Sequence, residues 1–126
     1  MNADTCPCNP ARAYADCCGA LHAGAPAADA EALMRSRYSA YVLGLAAYLL
    51  ASWHPTTRPA QLDFAGHSSV KWLRLKLLSH TVIDAEHAEV AFIAKYIEGG
   101  AHRQLHERSR FLREDGRWFY LDGDFD

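Results

Sequence analysis

EVAFIAKYIEGGAHRQLHERSRFLREDGRWFYL, residues 89–121, alternates between apolar and polar side chains in three runs separated by two glycine-containing pairs. Alternation with a period of two is the mark of a strand with one buried face. The runs are Glu89 to Ile97, His102 to Arg113 and Arg117 to Leu121, and Gly99-Gly100 and Asp115-Gly116 stand between them. Such pairs supply the positive φ angles of tight hairpin turns, so three antiparallel strands are expected. With two-residue loops the register follows: Phe92 faces Glu107, Ala94 faces Leu105, and Phe111 faces Tyr120. One face then collects Val90, Phe92, Ala94, Tyr96, Leu105, Glu107, Ser109, Phe111, Trp118 and Tyr120. The opposite face collects Lys95, His102, Gln104, His106, Arg108, Arg110 and Arg117. The first face is the one to be buried, and Glu107 is its only acid.

Val70 to Val82 alternates less cleanly and predicts a further strand, giving a meander of about four. Ahead of it, Asp29 is a plausible N-cap for Leu33, Met34, Arg37, Tyr38, Tyr41 and Val42, which recur at helical spacing. This predicts an amphipathic helix of about 14 residues. Gly44 interrupts it, Leu45 to Trp53 reads as a shorter helix, and Pro55 stops that one. Residues 56–69 read as a loop with a short helical turn. Helices followed by a meander make an α+β order, with the helices covering one sheet face. Arg37 shares a stripe with Met34, Tyr38 and Tyr41, so it can meet Glu107 between helix and sheet.

All four cysteines lie near the start, as Cys6-Pro7-Cys8 and Cys17-Cys18. The residues around them are small and polar and cannot pack alone, so residues 1–22 need a staple. Residues 22–28, rich in Ala and Gly, connect them to an α+β domain over residues 29–126. Four thiolates from two short loops suit the tetrahedral preference of zinc, and two disulfides or redox thiols are the other readings. Met1 to Thr5 carries no apolar leader, so a cytoplasmic location is expected, which favours the metal. A closed set of four sulfurs leaves no coordination position for a substrate, so the metal reads as structural or as part of an interaction module. The α+β domain is expected to survive loss of a cysteine, because its apolar face contains none.

Half of the 126 residues are hydrophobic, enough for one real core, and 13 Lys and Arg against 15 Asp and Glu leave a net charge of −2. That balance demands neither a nucleic-acid nor a membrane partner. No apolar run reaches the roughly 18 residues of a spanning helix. Arg74, Lys76, Arg108, Arg110 and Arg117 read as a solvated sheet face before they read as a nucleic-acid surface. His102 and His106, with no third ligand, read as solvent-facing residues.

Cys6-Pro7-Cys8 with Cys17-Cys18, and Tyr14 three residues before the second pair, resembles the SEC-C motif, a zinc knuckle also found at the tail of the SecA translocation ATPase. Asn9-Pro10 stands where many such motifs carry Gly-Ser. The blocks from Leu33 to Tyr41, Trp53-His54-Pro55, Leu105 to Phe111 and Asp115 to Gly123 resemble the YchJ-like family of uncharacterised bacterial proteins. Members often carry a second knuckle after the main domain, and this sequence has one set of four cysteines. The resemblance implies a nuclear transport factor 2-like cone, with helices packed into a curved antiparallel sheet, and it carries over no activity.

The leading expectation is a zinc-binding, non-catalytic protein whose knuckle docks on another protein and whose cone takes a small molecule. Its pocket is expected to include Arg37, Tyr41, Trp53, Phe92, Ser109 and Tyr120. Glu107 and Arg37 have two readings, a structural ion pair or a general base in an open pocket, and mutual satisfaction favours the pair. The enzyme alternative uses Glu107, with His54 or Tyr38, for proton transfer. An RNA-associated factor is a weaker third.

Overall fold

A computed structural model describes residues 5–62 and 70–125; residues 63–69 of the expected loop, the first four residues and Asp126 lie outside the described residues. Strands β1 (Thr5–Cys6) and β2 (Asn9–Ala13), a 3₁₀ turn at Tyr14–Asp16 and helix α1 (Cys18–His22) come first. Helices α2 (Ala30–Leu43) and α3 (Ala46–Ala51) follow, then strands β3 (Val70–Val82), β4 (His87–Glu98), β5 (Ala101–Glu114) and β6 (Arg117–Phe125). The last four strands form one antiparallel sheet in sequence order, and β1 and β2 form a separate hairpin. Among the described residues, no helix is long and apolar enough to cross a membrane.

Local chemistry explains the element ends. The Asp29 carboxylate accepts from the Ala32 amide at 2.8 Å, satisfying one of the free donors at the start of α2. Gly44, at φ 75°, turns the chain out of that helix in the left-handed conformation. Helix α3 ends sooner than the expected Trp53, because the chain joins the sheet there. The Tyr120 amide donates to Ser52 O at 2.9 Å, and the His54 amide donates to Tyr120 O at 2.8 Å. Beyond it, Thr57 and Arg58 amides both donate to His54 O, closing a turn after Pro55.

Both expected hairpins have two-residue loops, with φ of 57° and 84° at Gly99-Gly100 and 53° and 79° at Asp115-Gly116. Phe92 pairs with Glu107, Ala94 with Leu105, and Phe111 with Tyr120. Two bulges in β3, between Trp72 and Arg74 and between Leu77 and Ser79, break its alternation. Leu73 and Leu78 are the extra residues, which is why they stand 42 % and 43 % exposed while Leu75 and Leu77 pack inward.

Helix α2 lies across the concave sheet face. Phe111 and Leu49, 2 % and 0 % exposed, are among the largest buried side chains, and truncating a phenylalanine so placed costs about 3–5 kcal/mol. The knuckle does not stand apart from this core. Cys6, Cys8 and Cys18 belong to the same buried cluster as Leu33, Met34, Tyr38, Phe92 and Phe111. The expectation that the core of the α+β domain is free of cysteine is therefore corrected: α2 offers its remaining face to the sulfurs.

Candidate metal centre and cone pocket

The β1–β2 hairpin carries Cys6 and Cys8, and the junction between the 3₁₀ turn and α1 carries Cys17 and Cys18. All four are free cysteines. Sulfur separations are 3.5 Å for Cys6 and Cys8, 3.6 Å for Cys8 and Cys17 and 4.0 Å for Cys17 and Cys18, and all four sulfurs lie within 4.8 Å of one another. A tetrahedron with metal–sulfur bonds of about 2.3 Å has edges of about 3.8 Å, so the set fits a metal ion. The separations are too long for disulfides, whose sulfurs sit about 2.05 Å apart. The disulfide reading is set aside on this geometry.

Cys8 is the most readily deprotonated sulfur of the cluster. Its thiol falls to about 5, chiefly through hydrogen bonding by Cys18, helped by Cys6 and Cys17 and opposed by burial. Burial, then Cys8, pushes Cys17 up to about 11, and the bond to Cys8 holds Cys18 higher still. Around the sulfurs, the Ser39 hydroxyl lies 3.6 Å from Cys6 Sγ, and Arg35 donates to Cys8 O at 3.3 Å while its Nε donates to Glu31 at 3.0 Å.

His22 fastens the knuckle to α2. Its Nε2 donates to Ser36 O at 2.8 Å, because a carbonyl can only accept, so its Nδ1 accepts from the Tyr14 hydroxyl at 2.6 Å. Gly19 is needed under Tyr14, since an added Cβ would lie 2.7 Å from Tyr14 O and 2.8 Å from its ring.

Between α2 and the sheet lies a cavity of about 700 Å³, lined by Arg37, Tyr38, Tyr41, Trp53, Phe92, Glu107, Ser109 and Tyr120, with Trp72, Tyr96 and Phe125 among its other walls. The Arg37 guanidinium donates to Leu49 O at 2.8 Å and to Ser52 Oγ at 2.6 Å. It also sits over two rings, 5.1 Å from the Trp53 centroid and 4.5 Å from that of Tyr120. The Tyr120 hydroxyl donates to Glu107 Oε2 at 2.7 Å. The expected direct ion pair is thus replaced by a relay. Arg37 is satisfied at the end of α3, and Tyr120 stands between it and the acid. Burial pushes the Glu107 carboxyl up, against the pull of Tyr120, Ser109 and the Arg37 charge. Burial likewise lowers Arg37 and raises Tyr120.

A family model for the middle, nuclear transport factor 2-like domain of YchJ matches residues 29–123. The UPF0225 protein of Polaromonas naphthalenivorans is 62 % identical over 109 residues, 86 % of this chain and 79 % of that one. The chain belongs to the YchJ family. Another UPF0225 relative, from Xanthomonas campestris, is 54 % identical over 120 residues, covering 94 % of this chain and 93 % of its own. The family fold has solved counterparts. A SEC-C motif protein from Rhodopseudomonas palustris superposes with a TM-score of 0.84 at 35 % identity, covering 96 % of this chain and 98 % of its own. One from Psychrobacter arcticus gives 0.80 at 31 %, covering 94 % and 81 %.

In this YchJ-family cone, His54 is not at the pocket. Trp53 bridges Tyr120, and successive side chains on an extended segment point oppositely, so Trp53 enters the cavity while His54 turns against Phe119, with ring centroids 5.7 Å apart. Its ring bonds Thr56 Oγ1 at 2.8 Å and Glu114 at 3.3 Å. Among the described residues no histidine lines the cavity. Tyr38 does line it, with its hydroxyl pushed up to about 12 by burial. His102 is exposed on the outer face, and His102 and His106 belong to no metal-binding group among the described residues.

One device escaped the alternation pattern. A bulge in β6 at Leu121 shifts its register beyond Tyr120, so Asp122 and Asp124 pair with Arg110 and Arg108 on the outer face, and Gly123 comes under Ser109 on the inner one. Arg110 then engages both aspartates. A Cβ on Gly123 would overlap the Glu107 carboxylate, so glycine there makes the carboxylate's seat.

Proposed function

We propose that this protein is a zinc-stabilised, non-catalytic binding module whose cone holds a small, largely apolar molecule. One observation carries the reading: the cavity of about 700 Å³ stays open beside Arg37 and Glu107, within the range of known ligand sites. Zinc suits four thiolates at tetrahedral corners, and Cys6, Cys8, Cys17 and Cys18 would hold it. A cytoplasmic setting, where thiols stay reduced, suits the four free cysteines. The knuckle's packing on α2 gives it a structural task first, with a docking surface for another protein left to its exposed side.

Elemental analysis of reduced protein should return about one zinc per chain. NMR titration of the zinc-loaded protein with benzyl alcohol should then move amide signals of residues lining the cavity. Shifts scattered over the surface, or none at all, would overturn the pocket reading. A second reading, proton transfer by Glu107, is favoured by its buried, upshifted carboxyl bonded to Tyr120. Among the described residues the other proton carriers at the cavity are tyrosines and Glu98, which is paired with Arg103.

A further inference from the structure

We propose that the cone cavity is selective for a primary amine, an apolar body filling the space and an ammonium group seated on Glu107; this rests on the pocket reading above. The inference begins with what the protein does with its own charges. Among the described residues, the ionisable side chains lining the cavity apart from tyrosines are Arg37, Glu98 and Glu107. Arg37 is already occupied: it bonds Leu49 O and Ser52 Oγ and is covered by the Trp53 and Tyr120 rings. Among the described residues, a ligand anion would find no free cation at the cavity.

Glu107 is in the reverse position. A carboxylate offers about four acceptor sites, and among the described residues the Tyr120 hydroxyl fills one, Ser109 adding a weaker contact. The acid is 7 % exposed, so a neutral apolar occupant would leave its remaining acceptors buried without a donor. Its position is also built: Gly123 lacks the Cβ that would displace the carboxylate, and the Leu121 bulge is what brings Gly123 there. The bulge moves Asp122 and Asp124 outward, so among the described residues Glu107 is the one acid that the sheet's inner face brings to the cavity from β5 and β6.

The walls add to this preference. Trp72 packs against Tyr38 with centroids 5.9 Å apart and against Tyr96 at 5.2 Å, and the π faces of such rings attract cations. Glu98 lines the cavity too, but Arg103 at 3.6 Å offsets its charge, which leaves Glu107 as the acid that a ligand cation would meet. Negative floor, aromatic wall and a committed arginine together select an N–H-bearing cation over a matched alcohol or acid.

Three matched probes test this on the zinc-loaded full chain: 2-phenylethylamine, 2-phenylethanol and 3-phenylpropionate, each titrated by NMR. The amine should bind at least tenfold more tightly than the alcohol, and the acid most weakly, with cavity amides shifting. Glu107→Gln should erase the amine's advantage over the alcohol. The wild-type ranking stands as a test even if that variant does not fold. Equal binding of the three, or preference for the acid, would overturn amine selectivity while leaving the pocket reading in place. No binding by any of them at the cavity would overturn both.

Discussion

Residues 5–22 and residues 70–125 are held in place by different forces. The first segment has few apolar side chains beyond its cysteines, and its conformation depends on four sulfurs converging within 4.8 Å. The second is a sheet whose inner face, from Val90 to Phe111, is buried by apolar packing. Yet both press on one helix. The Ser36 carbonyl and the Ser39 side chain of α2 face the knuckle, while Arg37, Tyr38 and Tyr41 turn toward the cavity. A helix with two buried faces joins a segment gathered around four sulfurs to one built on apolar packing, so the influence of a metal at those sulfurs should reach past the segment that holds them.

Removing the proposed zinc is the strongest way to break this contrast. A structural zinc site contributes about 10 kcal/mol or more of apparent folding free energy to a small domain, so chelation should unfold residues 5–22. Because Cys6, Cys8 and Cys18 share a cluster with Leu33 and Met34, hydrogen-exchange protection should also fall along α2, and less in β4 and β5. Cys18→Ser should act the same way. Unchanged protection in α2 after chelation would show that the helix is held by the sheet alone.

The next effect belongs to the cone. Gly123→Ala should cost about 2 kcal/mol, since an added Cβ overlaps the Glu107 carboxylate. Shortening the acid in a paired Gly123→Ala, Glu107→Ala variant should return most of that loss, which a double-mutant cycle by thermal unfolding would read. Additive losses would place the glycine's importance elsewhere.

Glu107→Gln should stabilise the fold at neutral pH by about 1 kcal/mol. The sign follows from its raised folded-state carboxyl, whose first cause is burial. A folded pKa above the unfolded one means that the native state holds the proton longer, so stability is present below the unfolded value and is lost as pH rises through the folded one. The variant's advantage should therefore be absent in acid and grow through and above the ordinary carboxylate range. Arg37 opposes this only in part: its charge pulls the carboxyl down, but its own bonds go to Leu49 and Ser52 and burial outweighs it. A destabilised variant at neutral pH would restore the direct ion pair that the relay replaces.

The legible parts of the chain are those where a short-range rule acts alone. Two turns of two residues settle the register from Glu89 to Tyr120, and cysteine spacing marks the metal cluster. Where an extra residue enters, alternation loses its meaning: Leu73, Leu78 and Leu121 each reset a strand's phase, and nothing in their side chains announces it. Long-range contacts are equally silent. Ser39 lies 33 residues from Cys6, and neither residue type points to the other. The cavity's polar partners suffered the same way, since Arg37 and Glu107 were complementary in charge while Leu49 O, a backbone group, took the arginine.

The smallest expected effect separates the two sides of the Trp53-His54 pair. A helix continued to Trp53 would have carried His54 to the pocket mouth, whereas the bridge between Trp53 and Tyr120 turns it toward Glu114 and Phe119. His54→Asn should cost about 1 kcal/mol of stability through lost hydrogen bonding. Its effect on benzyl alcohol binding should stay within about twofold, since the side chain contributes nothing to the cavity wall. Trp53→Ala, one residue earlier, removes a wall of the cavity and the ring over Arg37, and should weaken that binding at least tenfold. If the asparagine variant loses binding as severely as the alanine one, His54 acts on the pocket after all, and the alternation of side chains at this bridge does not isolate it.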